Sequence, residues 1–183
     1  MAKLYFRHSV MNAGKSLHLL QTQNNYRERK KETLLLTAAL DTRNGEGKIT
    51  SRLGVSGDAM GVSDVDDIKV VAYAIEPANI EAIFVDECQF LSEEVIDALA
   101  GLVDTYDIPL FCYGLKTDFR GKLFEGSKRL LEIADSITEL KSICMCGRKA
   151  LFNRRMVDSP DQVVLGGEDI YETQCRKCFM EGK

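Results

Sequence analysis

Two short segments carry residues able to move a phosphoryl group. The first is Ser9-Val10-Met11-Asn12-Ala13-Gly14-Lys15-Ser16. It ends as the phosphate-loop pattern G-x-x-x-x-G-K-[ST] ends, with Ser9 in place of the first glycine. A helix N-terminus offers an anion free backbone N–H groups and a positive dipole end. Gly14 lets the backbone curl round a phosphate. Lys15 neutralises β- and γ-phosphate charge, and the Ser16 hydroxyl ligates Mg²⁺. The second segment, Ile83-Phe84-Val85-Asp86-Glu87, is an apolar run ending in two acids. A phosphate-loop protein needs a carboxylate there to hold the metal. Successive strand residues face opposite sides. Asp86 therefore suits the magnesium, and Glu87 is placed to orient or deprotonate a nucleophile beside the γ-phosphate. Taken singly, Gly-Lys-Ser also fits a plain strand-to-helix turn, and an acidic pair can end a strand on the surface. Together and in this order they point to ATP and Mg²⁺.

Four cysteines form another chemical group. Cys144-Met145-Cys146 is a C-x-C pair and Cys175-Arg176-Lys177-Cys178 a C-x-x-C pair. Four thiolates in two close pairs suit tetrahedral Zn²⁺ in a closed, structural site. A disulfide within C-x-C would be strained, and no thioredoxin-like pattern surrounds the C-x-x-C. A catalytic zinc would need an open ligand position. Zinc here would pin both ends of residues 147–174 and make them a fixed loop. Cys112, inside the apolar run 108–113, is read as a small buried hydrophobe. His8 and His18 are read as packing or surface residues.

The elements that must position these groups alternate. Strand-like runs cover residues 4–6, 33–39, 82–85, 108–113 and 136–140. Helical spacing marks 16–26, a helix capped by Asp66 with Ile68, Val71, Ala72 and Ile75 inward, a helix capped by Ser92, and 127–134. Residues 41–61, rich in Gly, Ser and Asp, read as one long loop, and 114–126 as another. The class is α/β with a parallel sheet. From Cys144 onward cysteines, glycines and short β-like pieces prevail with no clear helix, so units 1–143 and 144–183 are expected.

Composition narrows the classes. The chain has 183 residues, 45% hydrophobic and 28% charged, enough for a core without disulfides. A net charge of −4 without a long basic run argues against general capture of nucleic acid. No apolar stretch approaches a membrane span and the N-terminus does not read as a signal peptide, so a cytoplasmic protein is expected.

With these residues assembled, the chain resembles the zinc-containing thymidine kinases, and among them the bacterial branch. The resemblance rests on 11–16, Asp41-Thr42-Arg43, 85–91, 113–124, Val163-Val164-Leu165-Gly166-Gly167, Tyr171 and Cys175–Cys178. It implies a RecA-like phosphate-loop domain and a small zinc-binding lasso domain covering the nucleoside. It implies that residues 9–16, Asp41, Thr42, Arg43, Asp86, Glu87, Cys88 and Gln89 serve ATP and magnesium, with Glu87 the general base for a 5′-hydroxyl. Met11, Phe90, Leu115, Phe119 and Phe124 would line the thymidine pocket. Gln162, Val163, Val164, Leu165 and Gly166 would form the lasso, and Tyr171 would touch the nucleoside. Cys144, Cys146, Cys175 and Cys178 would hold the zinc. The resemblance further implies a homotetramer inhibited by dTTP.

Two other classes stay open on sequence alone. One is a phosphate-loop ATPase or switch with no small-molecule acceptor. The other is a zinc-ribbon module for nucleic acid, to which Arg148, Lys149, Arg154, Arg155, Arg176 and Lys177 would lend charge.

Overall fold

A computed structural model describes residues 1–182 except 42–44, 46, 160, 165 and 167–169. Six parallel strands form the central sheet in the order β5-β2-β6-β7-β1-β8. They are β1 (Leu4–Ser9), β2 (Glu32–Ala38), β5 (Met60–Val62), β6 (Ile80–Asp86), β7 (Leu110–Leu115) and β8 (Ser136–Glu139). The pairs β1–β7, β1–β8, β2–β5, β2–β6 and β6–β7 are each parallel. A parallel sheet needs cover on both faces, and near-continuous apolar strands supply side chains to both. Ile83, Val85, Leu110, Cys112, Leu4 and Phe6 point into one core. Ala82, Phe84, Phe111 and Tyr113 point into the other.

The first core is covered by α2 (Val65–Ile75), α3 (Glu93–Tyr106) and α4 (Glu125–Ile133). Ser92 caps α3 as its type and position predict, accepting the Val95 N–H. The cap of α2 is Asp64, not Asp66. Its carboxylate accepts the Asp66 and Asp67 N–H groups, while the Asp67 side chain accepts the Asp64 N–H. That reciprocal capping box satisfies more orphan donors than Asp66 could. Helix α4 begins at Glu125, two residues before its expected start.

The second core lies under α1 (Lys15–Arg27), which contributes Leu19 and Leu20. Tyr5, Phe111 and Phe84 stack across β1, β7 and β6 with centroids 4.6 and 4.9 Å apart. Such pairs add about 0.5–1.5 kcal/mol each beyond area burial, so the floor beneath α1 is stiff. Beside them Arg7 donates to the Tyr113 hydroxyl (2.6 Å), which lies 3.0 Å from His18 Nδ1. This network ties α1 to β1 and β7.

Residues 41–61 are not a plain loop. They contain the antiparallel hairpin β3 (Lys48–Thr50) and β4 (Ser56–Asp58), then β5. Ile49 is buried with Leu19 and Leu20, which holds the hairpin on α1. After β8 come β9 (Phe152–Arg155), β10 (Tyr171–Gln174) and α5 (Arg176–Glu181). Helix α5 corrects the expectation of no helix beyond Cys144. Phe179 stacks on Phe152 at 4.4 Å, fixing α5 against the β9–β10 ribbon. Among the described residues no helix is long and apolar enough to cross a membrane.

Candidate active site

In a parallel α/β sheet, ligands bind beyond the carboxyl ends of the strands. A cavity of about 610 Å³ opens there. Strand parity decides what enters it. Ala82 and Phe84 face α1, so Asp86 does too, and the Ser16 hydroxyl donates to it at 2.7 Å. Helix α1 starts at Lys15 after Gly14, whose φ of 75° lies in the left-handed region. Gly14 has no side chain to cap this helix end, and Gly14, Lys15 and Ser16 all line the cavity. The buried Lys15 ammonium rests 3.2 Å from the Val10 carbonyl, which also accepts the Ser9 hydroxyl.

Glu87 leaves the strand with φ 53°, a left-handed turn that a non-glycine residue rarely adopts. The residue is buried, and Gln89 Nε2 donates to its carboxylate at 2.5 Å. The Gln89 oxygen in turn accepts the Leu115 N–H at 2.9 Å. That backbone donor fixes which end of the amide faces which way. Burial first, then the neighbouring Glu87 carboxylate, push the Asp86 carboxyl up to about 7. Two acids crowded in a buried place favour a cation beside them.

Met11, Phe90, Leu115, Phe119 and Phe124 also line the cavity. Phe90 and Phe124 meet edge to face at 5.8 Å. The Arg155 guanidinium covers Phe119 at 3.6 Å from the ring centre and donates to the Ser159 and Asp161 carbonyls. Gln162, Val163, Val164, Gly166 and Tyr171 close the far side. The Tyr171 hydroxyl donates to the Val164 carbonyl at 2.9 Å, and Gln162 donates to Asp118 at 3.1 Å.

Asn12, Gly14, Lys15, Ser16, Asp41, Asp86 and Glu87 also line the cavity. Ser9, Val10, Cys88 and Gln89 are buried behind it, and Ala13 sits in the turn before α1. Thr42, Arg43 and Leu165 lie outside the described residues. Sequence reasoning missed the hairpin residues Lys48–Thr50 and Ser51, Arg52 and Leu53, together with Thr117, Asp118 and Asn153, all of which line the cavity. Asn153 is 3% exposed and accepts the Met11 N–H at 2.8 Å.

The sulfurs of Cys144, Cys146, Cys175 and Cys178 lie within 4.8 Å of one another, those of Cys146 and Cys175 at 3.6 Å. Tetrahedral zinc with bonds of about 2.3 Å demands spacing of that order. The donor chemistry fits as well. The Cys178 N–H is the main cause drawing the Cys175 thiol down to about 6. Cys178, which hydrogen-bonds to Cys175, is raised to about 12. The N–H groups of Cys146 and Cys175 lower Cys144. The quartet is a close cluster of four cysteine sulfurs, compatible with zinc. Val10 packs against Cys144, Ala150 and Cys175, so it abuts the phosphate loop.

Comparison with known proteins agrees with this geometry. A family model described as thymidine kinase matches residues 2–179. A thymidine kinase of Shewanella oneidensis is 48% identical over 188 aligned positions, covering 99% of this chain and 98% of the relative. Those of Vibrio cholerae and Haemophilus influenzae are 48% and 47% identical, with 99% of this chain and 98% and 97% of the relatives covered. The chain belongs to the thymidine kinase family.

Proposed function

We propose that the chain transfers the γ-phosphoryl group of ATP to the 5′-hydroxyl of thymidine, giving thymidine 5′-monophosphate and ADP. The observation that carries this reading is one cavity with two unlike ends. At one end are the N-terminus of α1, Lys15, Ser16 and Asp86. At the other are the rings of Phe90, Phe119 and Phe124. Glu87 follows Asp86 and precedes the turn that carries Phe90.

The residues divide the work. The α1 N-terminus and Lys15 hold phosphate charge. Ser16 and Asp86 would hold Mg²⁺, which neutralises charge on the phosphates when bound. Glu87, oriented by Gln89, accepts the 5′-hydroxyl proton as that oxygen bonds to the γ-phosphorus and the bond to the leaving ADP oxygen breaks. The aromatic end offers flat apolar surface to a pyrimidine. Gln162, Val163, Val164 and Gly166 would offer backbone groups to its edge, and Tyr171 holds Val164 in place. Cys144, Cys146, Cys175 and Cys178 would hold a structural zinc that clamps this segment. Family membership and the sequence resemblance extend the reading to a cytoplasmic homotetramer restrained by dTTP.

The test is ATP consumption with single nucleosides added in turn, with and without Mg²⁺. Turnover that rises with thymidine and yields thymidine monophosphate supports the reading. Steady ATP hydrolysis indifferent to every nucleoside would make the chain an ATPase instead.

A further inference from the structure

The peptide group between Val10 and Met11 is gripped at both ends. Its carbonyl accepts from Lys15 Nζ at 3.2 Å and from the Ser9 hydroxyl at 2.7 Å. Its N–H donates to Asn153 Oδ1 at 2.8 Å. Phosphate loops bind anions through backbone N–H groups turned towards the ligand. Here the Met11 N–H is committed to a side chain from another part of the chain. The orientation of this peptide is therefore set from outside the loop.

Asn153 is well placed to set it. It is buried and sits inside β9, paired with Thr173 of β10. The ribbon continues into a backbone bond from the Leu151 N–H to the Gln174 carbonyl, one residue before Cys175. Val10 itself, 7% exposed, lies against Cys144, Ala150 and Cys175. The cysteine-clamped segment thus presents an apolar seat for Val10 and a hydrogen-bond acceptor for Met11.

We propose that Asn153 is a positioning residue for the phosphate donor, through which the cysteine-clamped segment sets the conformation of the phosphate loop. The proposal rests on residues 9–16 being that loop. When Lys15 turns to a phosphate it gives up the Val10 carbonyl, and the Met11 end of the grip becomes the main restraint. Without Asn153 only the Ser9 hydroxyl still restrains the peptide, which can then turn its carbonyl towards the phosphates, where one partial negative charge meets another.

The test compares the parent chain with Asn153→Leu and Asn153→Asp. Leucine removes the acceptor at similar volume. Aspartate keeps an acceptor but adds charge beside the anion. Measured are ATP and thymidine affinity by calorimetry, metal content, and hydrogen exchange at the Met11 amide without ligands. Asn153→Leu should lose protection at Met11 and bind ATP roughly tenfold to a hundredfold more weakly, the range set by one lost buried hydrogen bond. Thymidine affinity should change less, and metal content not at all. Asn153→Asp should keep the Met11 protection and still weaken ATP. Unchanged Met11 exchange or unchanged ATP affinity in a folded Asn153→Leu chain overturns the proposal, as does a loss confined to thymidine. If the leucine variant does not fold, the aspartate variant decides, because loss of Met11 protection there is equally fatal. A parent chain that binds no ATP removes the functional reading itself, a different result from a parent that binds and a variant that matches it.

Discussion

Gln89 holds Glu87 from behind, its amide nitrogen 2.5 Å from the carboxylate and its oxygen on the Leu115 N–H. The Glu87 carboxylate, the proton acceptor of the proposed reaction, is thus aimed by a strand of the sheet. Gly114 makes room for this arrangement. A β-carbon there would stand 2.6 Å from the Gln89 oxygen and 2.7 Å from the Cys88 sulfur.

Replacing Glu87 by glutamine should leave the fold and ATP binding intact, since the amide oxygen can still accept from Gln89. Turnover should fall about 10²–10⁴-fold, the usual loss for a missing general base. Single-turnover kinetics on a variant that binds ATP normally checks this. A kcat near that of the parent would remove Glu87 from the proton transfer.

Gly114→Ala should act on the same chemistry from a distance. The added methyl group must push Gln89 or Cys88 aside, both fully packed, at a cost of about 1–3 kcal/mol in stability. We expect kcat to drop while the ATP KM moves little. Denaturant melts together with steady-state kinetics separate this from simple unfolding. A variant with parental stability and kcat would show that Gln89 is not confined as described.

Asp118 supplies a pH dependence. Burial alone would raise its carboxyl. Hydrogen bonds from the Lys122 N–H, the Gln162 side chain and both the side chain and the N–H of Arg120 outweigh burial and hold it below the ordinary range. A depressed folded value means stability that is complete above about pH 4, the unfolded carboxyl range, and lost as pH falls through the lower folded value. Asp118→Asn should flatten the acid side of the stability profile and loosen Gln162. Thymidine affinity should then weaken more than ATP affinity. Parallel acid-unfolding curves for parent and variant would contradict this.

Tyr113→Phe should cost about 1–3 kcal/mol, because it deprives the half-buried Arg7 of its shortest partner and His18 of a neighbour. Thermal denaturation measures the loss. Arg7→Met combined with Tyr113→Phe should cost less than the sum of the two single changes, since one interaction is shared.

Metal removal should reach both substrates. The cysteine quartet lies against Val10 as well as framing residues 147–174. Chelation, followed by calorimetry, should lower ATP affinity along with thymidine affinity while the sheet stays folded by circular dichroism. Loss of thymidine binding alone would mean that Val10 does not depend on the quartet.

Much of this was legible in the sequence. Long apolar strands and periodic helices gave the α/β class, and Ser16, Asp86 and Glu87 converge as their order in the chain implied. The hairpin escaped because each strand has three residues, and Ser56-Gly57-Asp58 has the composition of a turn. Only tertiary packing explains it: a β-carbon on Gly57 would touch Leu35 and Leu20. Asp64 was findable, since a second acid three residues on is the spacing of a capping box. Asn153 was not. It meets Met11 across 142 positions of sequence, and nothing in Phe152-Asn153-Arg154-Arg155 marks one residue as a partner for a distant loop.

The seat of Val10 also bears on how the chain matures. A ribosome delivers residues 9–16 early and the residues that hold them, Cys144, Asn153 and Cys175, much later. Until those arrive, the Val10 side chain and the Met11 N–H face water, and the nascent loop has its sequence but not its shape. If the ribbon sets the loop as proposed, nucleotide binding should begin late in synthesis, when the distant ribbon docks, rather than when the motif first leaves the exit tunnel.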